Sequence, residues 1–292
     1  TASTVYTVDG VRYSRTAFTS LADNVMAVRL EADRKGALSF DVSYSCPLEY
    51  HVAAAGNELT IESEGAEQEG VPAALKAAAA VRVVTDGEVA AEEGRLSVRN
   101  AAAVTVYISA ATNFVSYDDV SGDARAKVEA ALDNASAKSY GRLLKDHRDK
   151  YGRQFGRVEL SLPESASAAL DTDRRVASFN EGNDPSLPAL LFQFGRYLLI
   201  SSSQPGGQPA TLQGIWNREP FAPWDSKYTI NINTEMNYWP TDAVGLGECF
   251  TPLVDFAEKL VANGSSTAKA YFDADGWCAC HNSDIWGATY PA

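Results

Sequence analysis

The sequence predicts a multidomain chain of the β + α class, in which an antiparallel β-sandwich is followed by a helical linker and the start of an all-α domain. Three observations predict this fold class. Short β-rich runs follow one another through residues 1–118 without a helical pattern between them. Apolar residues then take up helical spacing in 119–162, and do so again in 163–292 between polar-aromatic loops. We therefore predict domain boundaries near residues 118 and 162.

The amino-acid composition and net charge disfavour several classes of protein and of partner. A hydrophobic fraction of 45% is typical of a globular protein rather than a disordered one. With 25 basic and 38 acidic residues the net charge is −13, so we predict neither nucleic acid nor a membrane surface as a partner. No membrane-spanning run or signal peptide is visible, and because the chain lacks an initiator Met we expect processing or truncation at its N-terminus. A neutral ligand fits this composition best.

The predicted sandwich consists of a series of β-rich runs. Asp9-Gly10 separates the first two runs and favours the positive φ angles of a type I′ hairpin turn. In the fourth run apolar and polar residues alternate, so one face is predicted to be buried and the other solvated. The runs are 4–8, 11–19, 24–30, 37–44, 58–62, 79–85, 95–98 and 104–110.

Two helical segments are predicted in the linker. Residues 122–134 are Ala-rich and charged, and an apolar stripe recurs at helical spacing through 136–155. His147 lies on this stripe, and we interpret it as a packed or surface histidine, with a catalytic role as the alternative. A short extended piece, 158–162, then leads into the all-α region.

Two helices with a proline near the start are predicted in that region. Asp184-Pro185 is interpreted as an N-cap followed by proline at the first helical position, and Thr251-Pro252 repeats the pattern. Gly264 is expected to end the second helix. One face of each helix is predicted to be buried, formed by Leu187, Leu190, Leu191, Phe194 and Leu198 in the first and by Leu253, Phe256, Ala257, Leu260 and Val261 in the second.

The cysteines Cys46, Cys249, Cys278 and Cys280 are too few and too scattered for a disulfide framework. Cys278-Ala-Cys280 beside His281 is a candidate metal half-site, but the spacing is not Cys-x-x-Cys and the sequence holds no second half. We interpret the cysteines as buried thiols and predict neither a metal nor another cofactor.

Residues 211–240 have the composition of a ligand site. The stretch holds three tryptophans, four asparagines and three carboxylates, with no long apolar run that would make them part of a core. Aromatic rings stack on the apolar faces of a pyranose, while amides and carboxylates supply hydrogen bonds to its hydroxyl groups. The stretch therefore predicts a carbohydrate site.

Within this stretch Thr229, Asn231 and Asn233 alternate with Ile230 and Ile232. If the segment is extended, the three polar side chains project from one face and the isoleucines anchor the other. The alternative is a strand or turn whose asparagines bond their own backbone. An amide could orient a water molecule or a sugar hydroxyl but could not accept a proton, so a carboxylate would have to act as the base.

A second aromatic and polar cluster spans residues 277–287. His281 and Asp284 are three residues apart and would share one side of a helical turn. Asp284 would then orient the histidine or bind a sugar hydroxyl; a structural histidine is the alternative.

Three segments, 212–217, 223–240 and 281–287, closely resemble the signature segments of glycoside hydrolase family 95, the inverting α-L-fucosidases. Residues 194–203 are similar to the helix that precedes these segments. The order and the spacing of the segments agree with the family as well.

The resemblance extends into the N-terminal part, where 6–13 and 28–33 look like the family's β-sandwich domain, entered partway. It implies that 1–118 is the C-terminal portion of that sandwich, and that 163–292 is the first part of an (α/α)6 barrel catalytic domain.

The resemblance also implies a mechanism. A glutamic acid protonates the leaving oxygen, while a water held by paired asparagines and an aspartate attacks the opposite face of the anomeric carbon. Asn231 and Asn233 match the asparagine pair and are the candidate catalytic residues. The family's acid and aspartate lie further downstream, so we expect this chain to lack them. Glu235 and Asp284 are interpreted as ordering loops or binding hydroxyls.

One departure from the family concerns the choice of sugar. Thr229 stands where typical fucosidases of the family carry a histidine, and threonine there is associated with room for the hydroxymethyl group of L-galactose. The candidate substrate-binding residues are Thr229, Trp216, Glu235, Trp239, His281, Asn282, Asp284 and Trp286.

Three hypotheses follow for the function. The first is an inverting glycoside hydrolase that releases terminal α-L-fucose from oligosaccharides or glycoconjugates. The second is an α-L-galactosidase of the same family, and the third is a non-catalytic carbohydrate-binding protein. The partner is accordingly a fucosylated or L-galactosylated glycan. Members of the family are usually secreted, so an extracellular location is expected.

Overall fold

Two antiparallel sheets face each other in the first half of the chain. The computed structural model describes residues 1–68 and 70–291, and the chain divides into two units between Lys150 and Tyr151. The strands of the first unit are β1 (Ala2–Val8), β2 (Val11–Ser20), β3 (Val25–Ala32), β4 (Leu38–Ser43), β5 (Tyr50–Ala55), β6 (Glu58–Glu64), β7 (Lys76–Thr85), β8 (Glu88–Glu92), β9 (Arg95–Ala101) and β10 (Ala103–Thr112). A seven-stranded sheet has the order β1-β2-β3-β10-β7-β6-β5, and a three-stranded sheet has the order β4-β9-β8.

The hairpin turn and the alternation in β4 are confirmed. Asp9 and Gly10 have φ angles of 50° and 72°, and Val8 pairs with Val11 directly across the turn. In β4 Leu38 is buried and the apolar side chains after it are half-buried, while the intervening polar residues are exposed.

Two strands were not predicted from the sequence. β5 reads Tyr-His-Val-Ala-Ala-Ala and β8 reads Glu-Val-Ala-Ala-Glu. Alanine and glutamate are depleted in strands, so neither run carries a β signal of its own. Pairing with β6 and with β9 fixes these two segments instead.

The space between the two sheets is filled by aliphatic side chains. Val81, Val83 and Val104 of the large sheet pack against Leu96 and Val98 of the small one, and all five are buried. The interior of the unit is therefore that of a β-sandwich.

Helices cover the opposite face of the seven-stranded sheet. They are α1 (Ala124–Ser136) and α2 (Tyr140–Phe155). Val128, Leu132 and Leu143 of these helices pack with Phe18 and other sheet residues in one buried cluster. His147 is buried as well, and its ring stacks on Phe18 at 4.9 Å between centroids. The interpretation of His147 as a packed residue is confirmed, and burial lowers its pKa below the usual 6.5.

The second unit is mainly helical, as expected. It contains α3 (Thr172–Ala177), α4 (Leu187–Ser202), α5 (Asn233–Tyr238), α6 (Thr251–Phe272) and two short strands, β11 (Tyr228–Thr229) and β12 (Asn282–Ser283). Among the residues that the structure describes, no helix is both long and apolar enough to cross a membrane. The domain boundaries near residues 118 and 162 stay a prediction.

The predicted start of α4 at Asp184-Pro185 is wrong. The helix begins at Leu187, after Ser186, with Pro188 in its first turn. Asp184 is instead buried in an ion pair with Arg175, whose guanidinium donates to both carboxylate oxygens at 2.7 and 3.1 Å. The carboxylate is therefore used to hold α3 near the start of α4, and the Arg175 guanidinium lowers the pKa of Asp184.

The predicted buried face of α4 is also wrong. Leu190, Leu191 and Phe194 are exposed, and the side that faces the protein carries Arg196, Leu199 and Ile200 instead.

Hydrogen bonds of Arg196 explain this orientation. Its guanidinium donates to the backbone carbonyls of Gln154, Phe155, Val158 and Val244 at 2.6–3.1 Å. These carbonyl groups lie outside regular structure or at a helix end, where helix and sheet ladders do not supply a donor. Those of Gln154 and Val158 also accept from the Arg157 amide at 3.4 Å and from the Gln193 side chain at 3.1 Å, so the arginine completes the hydrogen bonding of this region. A buried polar side chain thus determines which side of the helix is covered.

Helix α6 corrects two further predictions. It begins at Thr251 itself rather than after it, and it continues through Gly264 to Phe272. The predicted apolar stripe of this helix is confirmed for Phe256 and Leu260, which are buried. Gly264 is required by close packing rather than by helix termination, because a Cβ at this position would lie 2.7 Å from the carbonyl oxygen of Cys278.

Candidate functional site

The two polar-aromatic clusters of the sequence meet in a short antiparallel strand pair. Tyr228 pairs with Ser283 and Thr229 with Asn282, and the Ile230 amide donates to the His281 carbonyl at 2.7 Å. Strands β11 and β12 therefore join residues 211–240 to residues 277–287. An apolar cluster that includes Tyr228 and Phe256 supports the pair from beneath.

The predicted extended conformation of 229–233 is wrong. Strand β11 ends at Thr229, the chain turns through the next residues, and α5 starts at Asn233. Ile230 packs into the apolar cluster as expected, but Ile232 is exposed. Asn231 therefore lies in the turn and Asn233 in the first turn of α5, and both are exposed.

Helix α5 is held in place by Tyr238. The Tyr238 hydroxyl accepts a hydrogen bond from the Ala210 amide at 2.7 Å and pairs with the Ser203 hydroxyl at 2.8 Å. Burial raises the pKa of this phenol. Glu235 within this short helix and Trp239 directly after it are both exposed to solvent.

Trp216 follows a tight turn formed by 211–214. The Thr211 hydroxyl donates to the Gly214 carbonyl at 2.9 Å, and Gly214 has a φ angle of 67°. The indole lies against this glycine, since a Cβ there would be 2.8 Å from the ring. The ring centroid is 6.4 Å from that of Tyr197. Trp216 nevertheless remains 46% exposed, so part of the ring is free to contact a ligand.

Three consecutive residues have a left-handed backbone conformation. The φ angles of Trp224, Asp225 and Ser226 are 56°, 53° and 51°. Such angles are unfavourable for residues other than glycine. The conformation is stabilised by hydrogen bonds, because the Ser226 hydroxyl pairs with Thr211 at 2.8 Å and the Lys227 ammonium lies 3.1 Å from the Asp225 carboxylate.

The segment 281–287 is arranged by side-chain contacts with its own backbone. Asp284 Oδ1 accepts from the Trp286 amide at 2.9 Å and from the Ala288 amide at 3.4 Å. The imidazole Nε2 of His281 lies 3.0 Å from the side-chain nitrogen of Asn282. Asp284 thus orders the loop, which is one of the two roles predicted for it, and the ring partner of His281 is Asn282.

Helix α6 provides the surface on which this loop lies. Asn263 donates to the Gly287 carbonyl at 2.9 Å, the Cys278 amide donates to the Gly264 carbonyl at 3.2 Å, and the Thr267 hydroxyl pairs with Thr289 at 2.7 Å. Sequence reasoning missed these residues. The sequence did indicate them in one way: Asn263, Gly264 and Thr267 are small or polar residues that follow the apolar stripe of α6 at helical spacing.

Comparison with known proteins identifies the family. Residues 139–292 match the sequence model of the "Glycosyl hydrolase family 95 catalytic domain". The chain belongs to glycosyl hydrolase family 95. Residues 1–117 match the "Glycosyl hydrolase family 65, N-terminal domain".

Curated relatives of this family 95 chain carry fucosidase names. It is 36% identical over 318 residues to "Alpha-L-fucosidase 2" of Arabidopsis thaliana, which covers 98% of this chain and 38% of that protein. It is 38% identical over 166 residues to "Probable alpha-fucosidase A" of Aspergillus niger, which covers 56% of this chain and 21% of that protein. The chain thus spans well under half the length of these relatives.

A solved structure agrees with the fold. "Putative kojibiose phosphorylase from human microbiome" superposes with a TM-score of 0.54 at 11% identity, covering 97% of this chain and 36% of that one. The predicted fold class is confirmed: an antiparallel β-sandwich followed by helices that belong to the family's catalytic domain.

The segments joined by β11 and β12 carry exposed amides, aromatic rings and hydroxyl groups, all of which can contact an uncharged ligand. Burial raises the pKa of Tyr228 far above its usual value, so this phenol stays protonated. Within residues 1–68 and 70–291 no group of three or more His, Cys, Asp or Glu residues is placed to hold a metal ion. Cys249 is buried, whereas Cys46, Cys278 and Cys280 are only half-buried.

Proposed function

We propose that this family 95 protein hydrolyses terminal α-L-fucosyl bonds of oligosaccharides or glycoconjugates, with inversion at the anomeric carbon. One observation carries the proposal: the pairing of β11 with β12 brings the turn with Asn231 and Asn233 beside the segment with His281 and Asn282. Side chains from two stretches that are distant in the sequence can thereby contact one ligand. The fucosidase names of the relatives support the choice of sugar.

Asn231 and Asn233 have the role of holding the attacking water. Each side chain offers an oxygen that accepts and a nitrogen that donates a hydrogen bond, and both are exposed close to β11. The water attacks the anomeric carbon as the bond to the leaving oxygen breaks. It gives up a proton to a carboxylate, and a carboxylic acid gives a proton to the leaving oxygen.

The aromatic and polar residues around this water bind the sugar. Exposed faces of Trp216, Trp239 and Trp286 stack on apolar ring faces of the glycan. Glu235 and the His281–Asn282 pair offer hydrogen bonds to its hydroxyl groups.

Neither Glu235 nor Asp284 is proposed as the general acid. A carboxylic acid that stays protonated near neutral pH needs a buried, apolar setting, whereas Glu235 is exposed. Oδ1 of Asp284 is engaged by two backbone amides. We propose that the acid and the partner aspartate belong to other parts of the catalytic domain, with carboxyl groups about 6.5–9.5 Å apart.

Steady-state kinetics with an aryl α-L-fucoside test the asparagine assignment. The assay uses a chain that spans the full length of its relatives. We expect Asn231→Ala and Asn233→Ala each to lower kcat by at least about 100-fold, since each removes a fixed contact to the reacting water. The matched control is Asn217→Ala, because Asn217 is exposed in the same stretch and its side chain is hydrogen-bonded to the Glu219 backbone within its own turn. An Asn231→Ala enzyme with nearly unchanged kcat contradicts the assignment.

An α-L-galactosidase is the second candidate, and a feature of Thr229 favours it. The Thr229 hydroxyl oxygen is buried and has no hydrogen-bond partner within the part of the chain that the structure describes. The hydroxymethyl group of L-galactose would supply a partner that the methyl group of fucose cannot. Thr229→Val should then lower kcat/KM about tenfold for an aryl α-L-galactoside and leave the fucoside unaffected. Equal effects on both sugars would contradict a contact between the Thr229 hydroxyl and the hydroxymethyl group.

A further inference from the structure

A cleft of about 320 Å³ opens between β1–β3 and β4 in the β-sandwich unit. All of its walls belong to residues 6–40. A volume in this range is typical of small-ligand sites. The side chains that give the cleft its chemical character are Tyr6, Tyr13, Arg15, Leu30, Glu31 and Ser39.

The tyrosines and the arginine form an ordered group. The rings of Tyr6 and Tyr13 stack with centroids 5.2 Å apart and planes inclined by 17°. The Arg15 guanidinium lies 5.3 Å from the Tyr6 ring centroid and donates to the Tyr6 hydroxyl at 2.9 Å. Stacking and the hydrogen bond hold the rings in place without a ligand, so binding costs little side-chain ordering.

The inner face of the seven-stranded sheet carries different side chains at this cleft than it does under the three-stranded sheet. Under the three-stranded sheet the inner face is aliphatic, with Val81, Val83 and Val104 buried. Across β1 and β2 the same face carries Tyr6, Tyr13 and Arg15, which are half-buried or exposed. Tyr13 packs against the edge of the aliphatic cluster, while Arg15 is exposed and Tyr6 is only half-buried. Aromatic rings beside hydrogen-bonding groups suit a ligand that has both an apolar face and hydroxyl groups.

Charge at the cleft is balanced. Two charged side chains line it, Arg15 and Glu31, and their charges are opposite in sign. The Glu31 carboxylate also lies 3.1 Å from the Arg29 guanidinium, which is outside the lining. A net-neutral lining disfavours both anions and cations. We propose that this cleft binds one neutral pyranose residue of a glycan, with the tyrosine rings against the sugar and Arg15, Glu31 and Ser39 available to its hydroxyl groups. The proposal does not depend on the proposed hydrolase function.

The test is an NMR titration of the whole chain labelled with ¹³C in its tyrosine rings. Tyr6→Phe and Tyr13→Phe assign the two resonances. The probes are the methyl glycosides of L-fucose, L-galactose, D-galactose and D-glucose. We expect at least one probe to shift the Tyr6 and Tyr13 signals saturably, while the signal of Tyr50 elsewhere in the unit stays unchanged.

Matched variants decide whether the cleft is responsible. Arg15→Ala should weaken binding about tenfold, as expected for the loss of one charge-assisted hydrogen bond. Arg12→Ala is the control, because Arg12 lies on the same strand but lines no part of the cleft. A double variant of Asn231 and Asn233 should leave the shifts unchanged, which separates this site from the proposed active site.

Three results would overturn the proposal. One is the absence of a saturable shift at Tyr6 and Tyr13 with every glycoside. Another is a shift that Arg15→Ala leaves unaltered. A third is protection of both rings from a soluble paramagnetic agent in a longer form of the protein, since a protein segment would then fill the cleft.

Discussion

The change in unfolding free energy caused by Gly264→Ala distinguishes two explanations of this glycine. An ordinary helical glycine predicts stabilisation, whereas close packing against the loop predicts destabilisation. In an unobstructed helix, replacing glycine by alanine stabilises a protein by about 1 kcal/mol. At Gly264 the new Cβ would lie 2.7 Å from the Cys278 carbonyl oxygen and 3.0 Å from the Trp277 ring. Relieving that overlap costs about 1–3 kcal/mol, and the 3.2 Å hydrogen bond between the Cys278 amide and the Gly264 carbonyl, worth about 1 kcal/mol, would be lost. Gly264→Ala should therefore destabilise the chain by about 1–3 kcal/mol.

Gly195→Ala is the matched control. Gly195 is also a glycine inside a helix, α4, but no heavy atom lies within 4 Å of the position that a Cβ would take. This variant should be more stable by about 1 kcal/mol. Urea unfolding followed by circular dichroism measures both values. As a second readout, Gly264→Ala should move the imidazole NMR signals of His281, which lies on the displaced loop, while Gly195→Ala should not. Stabilisation by both substitutions would refute the packing explanation.

Three further predictions concern buried polar groups. Tyr238→Phe should cost about 1–3 kcal/mol of unfolding free energy, because it leaves a buried amide without its acceptor; exposed Tyr271→Phe should cost nothing measurable in the same urea titration. Arg196→Met should cost about 3 kcal/mol, since four backbone carbonyls lose the hydrogen bond from the guanidinium, although those of Gln154 and Val158 keep a second donor; equal stability would refute this. Because burial lowers the folded-state pKa of His147 below 6.5, the unfolded state takes up the proton first, and stability should decrease as pH falls below 6.5. His147→Phe should remove that dependence and His51→Gln should not; an unchanged pH profile in His147→Phe would contradict it.

The sequence predicted the elements whose signals are local. The hairpin at Asp9-Gly10, the alternation in β4 and the buried stripe of α6 each follow from turn chemistry or periodicity within one element. Strands β5 and β8 were not predicted, because their alanine-rich sequences have little strand preference of their own. Pairing with β6 and with β9 makes them strands.

Three of the errors share one physical cause, which is a long-range contact that replaces a local preference. Helix α4 buries Arg196 rather than the predicted apolar face, because the Arg196 guanidinium donates to carbonyl groups about forty residues earlier in the chain. Gly264 was interpreted as a helix end because its partner, Cys278, is close only in space. The alternation at 229–233 indicated a strand, yet α5 begins at Asn233 because Tyr238 is fixed to Ala210.

The composition of the candidate site could be predicted, but its assembly could not. Both polar-aromatic clusters were recognised from their residue types alone. The strand pair that joins them is only two residues long on each side, so its sequence carries no pairing signal. The residues of α6 that support the loop were hidden within a helix pattern.

The most direct test of the central claim is a proton NMR time course of 2′-fucosyllactose hydrolysis by a chain that spans the length of its relatives. Attack by a water held at Asn231 and Asn233, on the face opposite the leaving oxygen, predicts β-L-fucose as the first product, before mutarotation produces the α anomer. The Asn231→Ala variant should release little of either anomer. Initial release of α-L-fucose, or full activity in that variant, would contradict the account.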